Sequence, residues 1–354
     1  MNQTAGQAST QAEVPFDAHA LQAYLGKHVQ GMQGALQVTR FKGGQSNPTF
    51  LLETPGRRFV LRTKPGPRSQ LLPSAHAIER EYRVQSALAG SDVPVAGMHW
   101  LCEDESVIGR AFYLMDHVEG RIFWDATLAD LDTAARGAIY DELNRVISAL
   151  HRVDPTAVGL DDYGKHANYV ARQIDRWSRQ YDASRTTSIE AMDRLVDWLP
   201  THAPIDDGSI ALVHGDYRID NVIFHPTEPR ILAVIDWELS TLGHPLADFA
   251  YHLMAWHIPP GPLRGLKGLD LAALGIPSAS AYIATYEQRS GRVAADDWNF
   301  YLAYNLFRVA AICQGISKRA EAGIASSARA AEFGRQAQPL AELGWQFAQQ
   351  AGAR

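Results

Sequence analysis

Three oxygen-bearing side chains stand at a spacing that suits phosphate chemistry. Asp216 ends the run His214-Gly215-Asp216, Asn221 follows five positions later, and Asp236 lies fifteen positions after Asn221. A carboxylate beside a substrate hydroxyl, with an amide and a second carboxylate holding Mg²⁺ on ATP, is the set that phosphorylation of a hydroxyl requires. Carboxylate and amide oxygens are also the ligands that a hard divalent cation prefers. The spacing therefore predicts a site for phosphoryl transfer.

A predicted hairpin brings these residues together. Residues 222–224 read as a short apolar strand, 225–229 as a turn containing two prolines, and 231–235 as the return strand. Antiparallel pairing across that turn sets Val222 roughly opposite Ile235, so that Asn221 and Asp236 lie side by side at the open end. Asp216 is one loop turn back along the chain, and we expect all three side chains to converge.

His214-Gly215-Asp216, with Asn221 and Asp236, resembles the aminoglycoside phosphotransferase family. That family shares the protein-kinase fold and carries HGD where protein kinases have HRD, with the same spacing to the asparagine. Within this family, the sequences of residues 217–221 (YRIDN) and 71–76 (LLPSAH) are most similar to those of the kinase-like domains related to the ones fused to acyl-CoA dehydrogenases.

The resemblance implies a role for each motif residue. Asp216 would orient or deprotonate the acceptor hydroxyl, Asn221 and Asp236 would bind Mg²⁺, and Arg218 would sit near the transferred phosphate. The alternative for Arg218 is an ion pair with Asp220 or Glu238. The chain departs from protein kinases where Asp236-Trp237-Glu238 replaces DFG and no A-P-E follows, so no phosphorylated activation loop is expected.

A glycine loop precedes two strand cations in the N-terminal part. The loop Gly43-Gly44-Gln45-Ser46-Asn47 leads into a hairpin about Pro55-Gly56, in which Thr49 faces Arg62 and Asn47 faces Lys64. Residues two apart on a strand point to the same face, so both cations are placed beside the loop. Backbone N–H groups of Gly43, Gly44, Ser46 and Asn47 with a nearby cation would cradle a phosphate, and an ordinary entry into the hairpin is the alternative. The strand lysine of the related families corresponds most naturally to Arg62, and Lys64, two residues further along the strand, is the rival.

A helix and a hinge complete the predicted nucleotide site. Glu81 lies on the apolar face of a helix that begins after Ser74 and ends at Gly90, and a buried acid needs a cation as its partner. A solvated glutamate at the helix edge is the alternative. Met115, Asp116 and Val118 fall in the connection that would read the adenine through its backbone.

The order of the predicted elements indicates an α+β protein of two lobes. Strands come first and helices later, which favours a bilobal, protein-kinase-like fold with a cleft between the lobes. The expected division is a disordered tail over 1–15, a small β-rich N-lobe over 16–115, a hinge at 116–120 and a larger, mainly helical C-lobe over 121–354. The predicted strands are 36–41, 49–54, 58–64, 97–102 and 111–115, and the other predicted helices are 18–29, 130–152, 168–182, 188–199, 244–257, 278–290, 296–321 and 325–350.

The composition narrows the classes of partner. Of 354 residues, 46% are hydrophobic and 20% charged, which is ordinary for a globular protein, and a net charge of −6 argues against nucleic-acid binding. No apolar run approaches the roughly 20 residues of a membrane span, and the N-terminus lacks the regions of a signal peptide. Cys102 and Cys313 lie in apolar surroundings and are expected to be buried thiols. These features indicate a cytoplasmic location, with neither a membrane nor a nucleic-acid partner.

The sequence supports a kinase that uses ATP or GTP with Mg²⁺ to phosphorylate a hydroxyl of a small molecule, with a hydroxyacyl-CoA as one acceptor hypothesis. A nucleotide-binding regulatory module without turnover and an aminoglycoside-type antibiotic phosphotransferase are the alternatives. The acceptor, the choice of nucleotide and the oligomeric state are open.

Overall fold

The protein folds into two compact units. The structure is a computed structural model that describes residues 3–4, 14–41, 47–65, 77–293, 297–323 and 329–354. The first unit contains Met1–Trp124, Val158–Leu160 and Arg218–Ser240, and the second contains Asp125–Ala157, Asp161–Tyr217 and Thr241–Arg354. The predicted boundaries of tail, N-lobe, hinge and C-lobe stay a prediction; the packing of the chain groups the hairpin segment with the N-terminal part. Within the predicted tail, the backbone of residues 3–4 forms a short strand.

An antiparallel sheet of five strands forms the centre of the first unit. Its strands, in spatial order, are β2 (Gln37–Arg40), β3 (Thr49–Thr54), β4 (Arg57–Thr63), β6 (Phe112–Asp116) and β5 (Met98–Cys102). On one face the sheet packs against α1 (Ala18–His28), whose Leu21 and Leu25 are fully buried. A second helix, α2 (Ile78–Leu88), presents Ile78 to Tyr113 of the sheet and is followed by Gly90, whose φ of +80° suits a residue without a Cβ. Ser74 lies outside the described residues, and α2 begins after Ala77, so the prediction that this helix begins after Ser74 was wrong by three residues.

The predicted catalytic hairpin is present with a shifted register. It pairs β9 (Val222–Phe224) with β10 (Ile231–Val234) and continues through β7 (Arg121–Ile122) to β1 (Gln3–Thr4). Val222 faces Val234 rather than Ile235, so that expectation was wrong by one residue. The register changes between Ile231 and Ala233, where a bulge adds a residue to one strand only. The backbone N–H of Ile235 still donates to the carbonyl of Asn221 at 2.9 Å, which keeps Asn221 beside Asp236.

Helices form most of the second unit. They are α3 (Thr133–Arg152), α4 (Tyr169–Ser184), α5 (Glu190–His202), α6 (Pro245–Leu253), α7 (Leu271–Leu274), α8 (Ala279–Ser290), α9 (Trp298–Glu321), α10 (Ala330–Gly334) and α11 (Ala337–Gln350). The helix predicted over 325–350 is divided into α10 and α11, and the close approach of Gly334 to Ser317 shows how tightly α10 packs on α9. The short helix α7 and the two-stranded ribbon of β8 (Ala211–Val213) with β11 (Thr241–Gly243) were not predicted.

The core of the second unit surrounds α9, which packs against α4, α5, α6, α10 and α11. The same core contains a group of aromatic side chains in which Phe249 of α6 stacks on Tyr286 of α8, with ring centroids 3.8 Å apart. The order of an antiparallel sheet followed by a helical region confirms the predicted α+β fold class.

The two cysteines confirm the prediction of buried thiols. Cys102 belongs to the core of the first unit, and Cys313 lies on α9 of the second. Burial raises the pKa of the Cys313 thiol to about 12, so the thiol stays protonated. Among the described residues, no helix is both long and apolar enough to cross a membrane.

Candidate active site

The central ion pair of the first unit joins β4 to α2. Arg62 lies in the middle strand of the sheet, opposite Thr49 on β3 and Tyr113 on β6, which confirms the predicted pairing of Thr49 with Arg62. Its Nε lies 2.8 Å from Oε2 of Glu81 on α2. Glu81 is only 2% exposed, so the reading of a solvated helix-edge glutamate was wrong.

Two neutral donors complete the surroundings of Glu81. The amide of Asn47 donates to Oε1 at 2.7 Å, and the hydroxyl of Tyr113 donates to Oε2 at 3.1 Å. Burial raises the pKa of the Glu81 carboxyl, while the nearby Arg62 and both hydrogen bonds oppose that rise. Asn47, predicted to contact the nucleotide, is fully buried and serves here to hold Glu81. Gly43, Gly44 and Ser46 of the predicted phosphate loop lie outside the described residues.

Arg62 also reaches the acidic residues that follow the hairpin. One terminal nitrogen lies 3.1 Å from Oδ1 of Asp236 and 3.7 Å from Oε2 of Glu238. Burial works to lower the pKa of Arg62, but the charge of Glu81, with those of Asp236 and Glu238, outweighs burial and raises it. The guanidinium therefore stays charged and ties helix, strand and hairpin into one cluster.

The rival cation, Lys64, has a different partner. Its ammonium pairs with Glu79 on α2, and both side chains are about a third exposed. Arg62 is therefore the strand cation that contacts the buried acid, whereas Lys64 forms an ordinary pair near the surface.

Asn221 and Asp236, the predicted metal ligands, lie on adjoining backbone. The carbonyl of Asn221 accepts the N–H of Ile235, the residue before Asp236, at 2.9 Å. Asp236 has a φ of +66°, a left-handed conformation that is uncommon outside glycine and that recurs at functional sites. Asn221 closes a turn of 3₁₀ helix over Ile219–Asn221 and is 7% exposed.

This donor set fits Mg²⁺ bound together with a nucleotide. Among the described residues, no group of three or more His, Cys, Asp or Glu side chains is arranged to hold a metal. Mg²⁺ is usually held by one or two carboxylates and completes its coordination with water and substrate phosphates. One carboxylate and one amide oxygen at the open end of the hairpin, before β9 and after β10, match that mode.

Arg218 forms one of its anticipated ion pairs. Its terminal nitrogen lies 3.3 Å from Oδ2 of Asp220, and the carbonyl of Arg218 accepts the N–H of Asn221 at 2.9 Å. Asp220 is buried, so Arg218 helps to hold the turn that carries Asn221. Its contact with a transferred phosphate stays a prediction.

The predicted adenine hinge begins at the end of β6. Met115 pairs with Val60 on β4, and Asp116 pairs with Phe59. The N–H of Asp116 donates to the carbonyl of Gly97 at 2.8 Å, and its carboxylate lies 2.7 Å from Nε2 of His99. The Asp116 amide is thus already used within the sheet. Recognition of a base by Met115, Asp116 or Val118 stays a prediction.

In the second unit, one carboxylate holds the His214-Gly215-Asp216 loop by its backbone. Asp248 on α6 accepts the N–H of His214 at 2.9 Å on Oδ2 and the N–H of Gly215 at 2.8 Å on Oδ1. Gly215 has a φ of +81°, which disfavours any residue with a Cβ. The loop therefore has a conformation that its sequence and one buried acid jointly determine.

His151, at the end of α3, completes this brace. Its Nε2 lies 3.2 Å from Oδ2 of Asp248, and its Nδ1 lies 2.7 Å from the hydroxyl of Tyr286. Burial works to raise the pKa of Asp248, but the hydrogen bond and charge of His151 and the N–H of His214 outweigh burial, and the pKa is lowered. Burial lowers the pKa of His151.

The side chain of Asp216 has a partner that the sequence did not indicate. The hydroxyl of Tyr251 donates to Oδ1 of Asp216 at 2.5 Å. The backbone N–H of Asp216 also lies 3.2 Å from Nδ1 of His214, which agrees with a structural role for that histidine. Tyr251 lies one helical turn beyond Asp248, and this shared helix face was the available signal.

Comparison with known proteins places these features in a family. The sequence model of the phosphotransferase enzyme family matches residues 37–295. The chain is 46% identical to acyl-CoA dehydrogenase family member 10 of Mus musculus over 96% of its own length, and 43% identical to family member 11 of Gallus gallus over 96%. It spans 32% of the mouse protein and 44% of the chicken protein, so both relatives contain much more sequence.

Solved structures agree with the fold. A candidate aminoglycoside phosphotransferase from Ralstonia eutropha is 59% identical, with a TM-score of 0.87 over 94% of this chain and 98% of that one. The aminoglycoside phosphotransferase APH(4)-Ia, solved with ADP and hygromycin B, has a TM-score of 0.61 at 16% identity, over 94% of this chain and 99% of that one. This second likeness shows the fold alone.

Proposed function

The chain belongs to the phosphotransferase enzyme family and is a small-molecule phosphotransferase with a hydroxyl acceptor; we propose that its donor is ATP or GTP with Mg²⁺. We assign Asp216 as the base, Asn221 and Asp236 as the metal ligands, and Arg62 as the cation that meets the donor phosphates. We propose that Arg218 contacts the transferred phosphate, which would then replace Asp220 as its partner.

The observation that carries this proposal is the position of Arg62. A buried acid on a helix, Glu81, holds the guanidinium at 2.8 Å, and the same guanidinium lies 3.1 Å from Asp236. The arrangement of strand cation, helix acid and metal-binding aspartate is the one that protein kinases use to place ATP phosphates. Guanidinium is a planar fork that suits phosphate as well as carboxylate, so an arginine can take this position.

The chemistry of each group follows from its type. Mg²⁺, when bound, would neutralise charge on the donor phosphates. Asp216 would accept a hydrogen bond from the acceptor hydroxyl and orient it for attack. Asp248 accepts the backbone N–H groups of His214 and Gly215, and these hydrogen bonds fix the backbone immediately before Asp216.

The decisive test is transfer of labelled γ-phosphate by wild type and by Asp216→Asn. The substitution keeps the size of the side chain but removes the charge, so we expect a loss of roughly 10²–10⁴ in kcat with nucleotide binding retained. Asp197→Asn, at an exposed position of the second unit, is the matched control and should leave kcat unchanged. Wild-type turnover by Asp216→Asn would refute the role assigned to Asp216.

A hydroxylated acyl group, such as a hydroxyacyl-CoA, is the proposed acceptor class. Support comes from the relatives that share 46% and 43% identity with this chain, since both are named acyl-CoA dehydrogenase family members. A panel of hydroxyacyl-CoA compounds, with the corresponding acyl-CoA compounds lacking the hydroxyl as controls, tests this class directly. Transfer to none of the hydroxylated members would contradict it.

An aminoglycoside acceptor is the second candidate, because the 59% identical structure is described in those terms. Aminoglycosides therefore belong in the same panel, and turnover of these in place of hydroxyacyl-CoA would reassign the acceptor. Binding of Mg-ATP without transfer to any compound would favour the regulatory module instead.

A further inference from the structure

Tyr251 contacts the proposed base without belonging to the sequence motif. Its hydroxyl donates to Oδ1 of Asp216 at 2.5 Å, at the short end of the range for a hydroxyl bonded to a carboxylate. The terminal torsion of an aspartate is broad and only weakly restrained by its own chain. A hydrogen bond to one oxygen therefore selects one orientation of the carboxylate plane.

The tyrosine is itself held in place. Arg308 on α9 is buried, and its guanidinium carbon lies 4.9 Å from the centroid of the Tyr251 ring and 5.5 Å from that of Trp177. A terminal nitrogen of Arg308 also donates to the carbonyl of Gly215 at 2.7 Å. The same guanidinium thus contacts the tyrosine ring and the loop that carries Asp216.

One helix connects the two ends of this arrangement. Asp248 and Tyr251 are three residues apart on α6, so their side chains leave the same face. Asp248 fixes the loop through the N–H groups of His214 and Gly215, and Tyr251 fixes the side chain of Asp216, which follows Gly215. Backbone and side chain of the loop are therefore placed by a single rigid element.

We propose that Tyr251 is a positioning residue for Asp216, and that Arg308 holds the tyrosine ring in place beside the loop. The inference rests on the proposed role of Asp216 as the base. Its consequence is kinetic: without the phenol, the carboxylate samples orientations that do not meet the acceptor hydroxyl, and a misplaced group lowers the rate of the chemical step.

The first measurement compares Tyr251→Phe with Tyr140→Phe. Tyr140 lies in the same unit and also donates a hydrogen bond, at 2.6 Å to the carbonyl of Ala126, so each variant removes a hydroxyl that donates a hydrogen bond. We expect Tyr251→Phe to lower kcat roughly 10- to 100-fold. The KM for nucleotide should stay within about twofold for both variants, and Tyr140→Phe should keep the wild-type kcat.

The second measurement asks whether Tyr251 acts through Asp216. In the Asp216→Asn background, the added Tyr251→Phe change should have no further effect on residual transfer, because the group that it positions is gone. A residue that merely supports the fold would lower the activity by the same factor in both backgrounds. Comparing the two factors also removes any common loss of folded protein.

The outcomes separate this inference from the proposed function. A wild-type kcat for Tyr251→Phe, or equal factors in the two backgrounds, would overturn the positioning role while leaving Asp216 as the base. Full activity of Asp216→Asn alone would overturn the proposed function, and the positioning role with it.

Discussion

The two units hold the residues that we propose for catalysis by opposite means. In the first unit, Arg62 is fixed by ion pairs between side chains, with Glu81 at 2.8 Å and Asp236 at 3.1 Å. In the second, the loop of Asp216 is fixed by backbone N–H groups that donate to Asp248. The first arrangement depends on charged side chains from three elements, whereas the second depends on one acid and the course of the chain.

The acidic side chains of the two arrangements also differ in their exposure to solvent. The side chain of Asp236 is 36% exposed, while that of Asp248 is 1% exposed. The role of metal ligand that we propose for Asp236 requires it to exchange a protein cation for Mg²⁺ and phosphate, and partial access with a replaceable partner suits that role. A brace has no partner to exchange, and burial strengthens its hydrogen bonds by lowering the local dielectric.

This contrast teaches where each region is vulnerable. An ion-pair cluster is sensitive to the identity and sign of its charges, because a buried charge without a partner is costly. A backbone brace is sensitive to the loss of its one acceptor, because several donors lose their partner together.

Replacing Asp248 should have the largest effect. In Asp248→Asn, the amide group turns a donor toward the N–H groups of His214 or Gly215, and the charge that His151 faces is lost. We expect unfolding in urea to show a loss of about 4 kcal/mol in the free energy of unfolding. Phosphate transfer should fall with it. A loss no greater than that of the exposed control Asp197→Asn would contradict the bracing role.

Replacing Arg62 should lower the free energy of unfolding somewhat less than replacing Asp248, and the loss should depend on its partner Glu81. Arg62→Met leaves the buried Glu81 without its cation, and we expect a loss of about 3 kcal/mol in urea unfolding. Adding Glu81→Gln should restore part of that loss, since the uncompensated charge disappears. Lys64→Met, which breaks only the partly exposed pair with Glu79, should cost less than about 1 kcal/mol.

Equal losses for Arg62→Met and Lys64→Met would remove the distinction between the two cations. No recovery on adding Glu81→Gln would show that the cost of losing Arg62 lies in packing rather than in charge.

Local sequence signals predicted the first unit well where a turn fixed the register. The turn at Pro55-Gly56 joins β3 to β4 with no residue to spare, so the pairing of Thr49 with Arg62 followed from counting. The second hairpin closes with Ile231 opposite Phe224, and a bulge near Leu232 then shifts the pairing so that Val222 faces Val234, one residue from the expected Ile235. Nothing in that stretch of sequence marks where the turn closes or where the bulge lies.

Contacts between distant elements were the part that the sequence left open. The sequence predicted that Arg62 and Lys64 leave the same face of one strand, and only the packing of α2 shows that Arg62 contacts the buried acid. The link from Tyr251 to Asp216 spans 35 positions and has no motif of its own. Such contacts depend on how helices pack, which propensity and periodicity do not specify.

A change of pH should have a smaller effect than Asp248→Asn or Arg62→Met, and it tests whether the second unit tolerates a new charge. His252 is buried beside Tyr282, with Nε2 2.8 Å from the hydroxyl, and burial lowers its pKa to about 4. The unfolded chain binds that proton near pH 6.5, so the neutral histidine favours folding above this pH, and its contribution is lost as the pH falls toward 4.

From pH 8 to pH 5 this histidine should lower the free energy of unfolding by about 2 kcal/mol, measured by urea unfolding at each pH. His252→Gln, which keeps a polar group but cannot be protonated, should flatten that part of the curve. A wild-type curve that is unchanged by the substitution would assign the acid sensitivity to other groups. A flattened curve would show that the second unit, unlike the cluster around Arg62, is stabilised by keeping a titratable group uncharged.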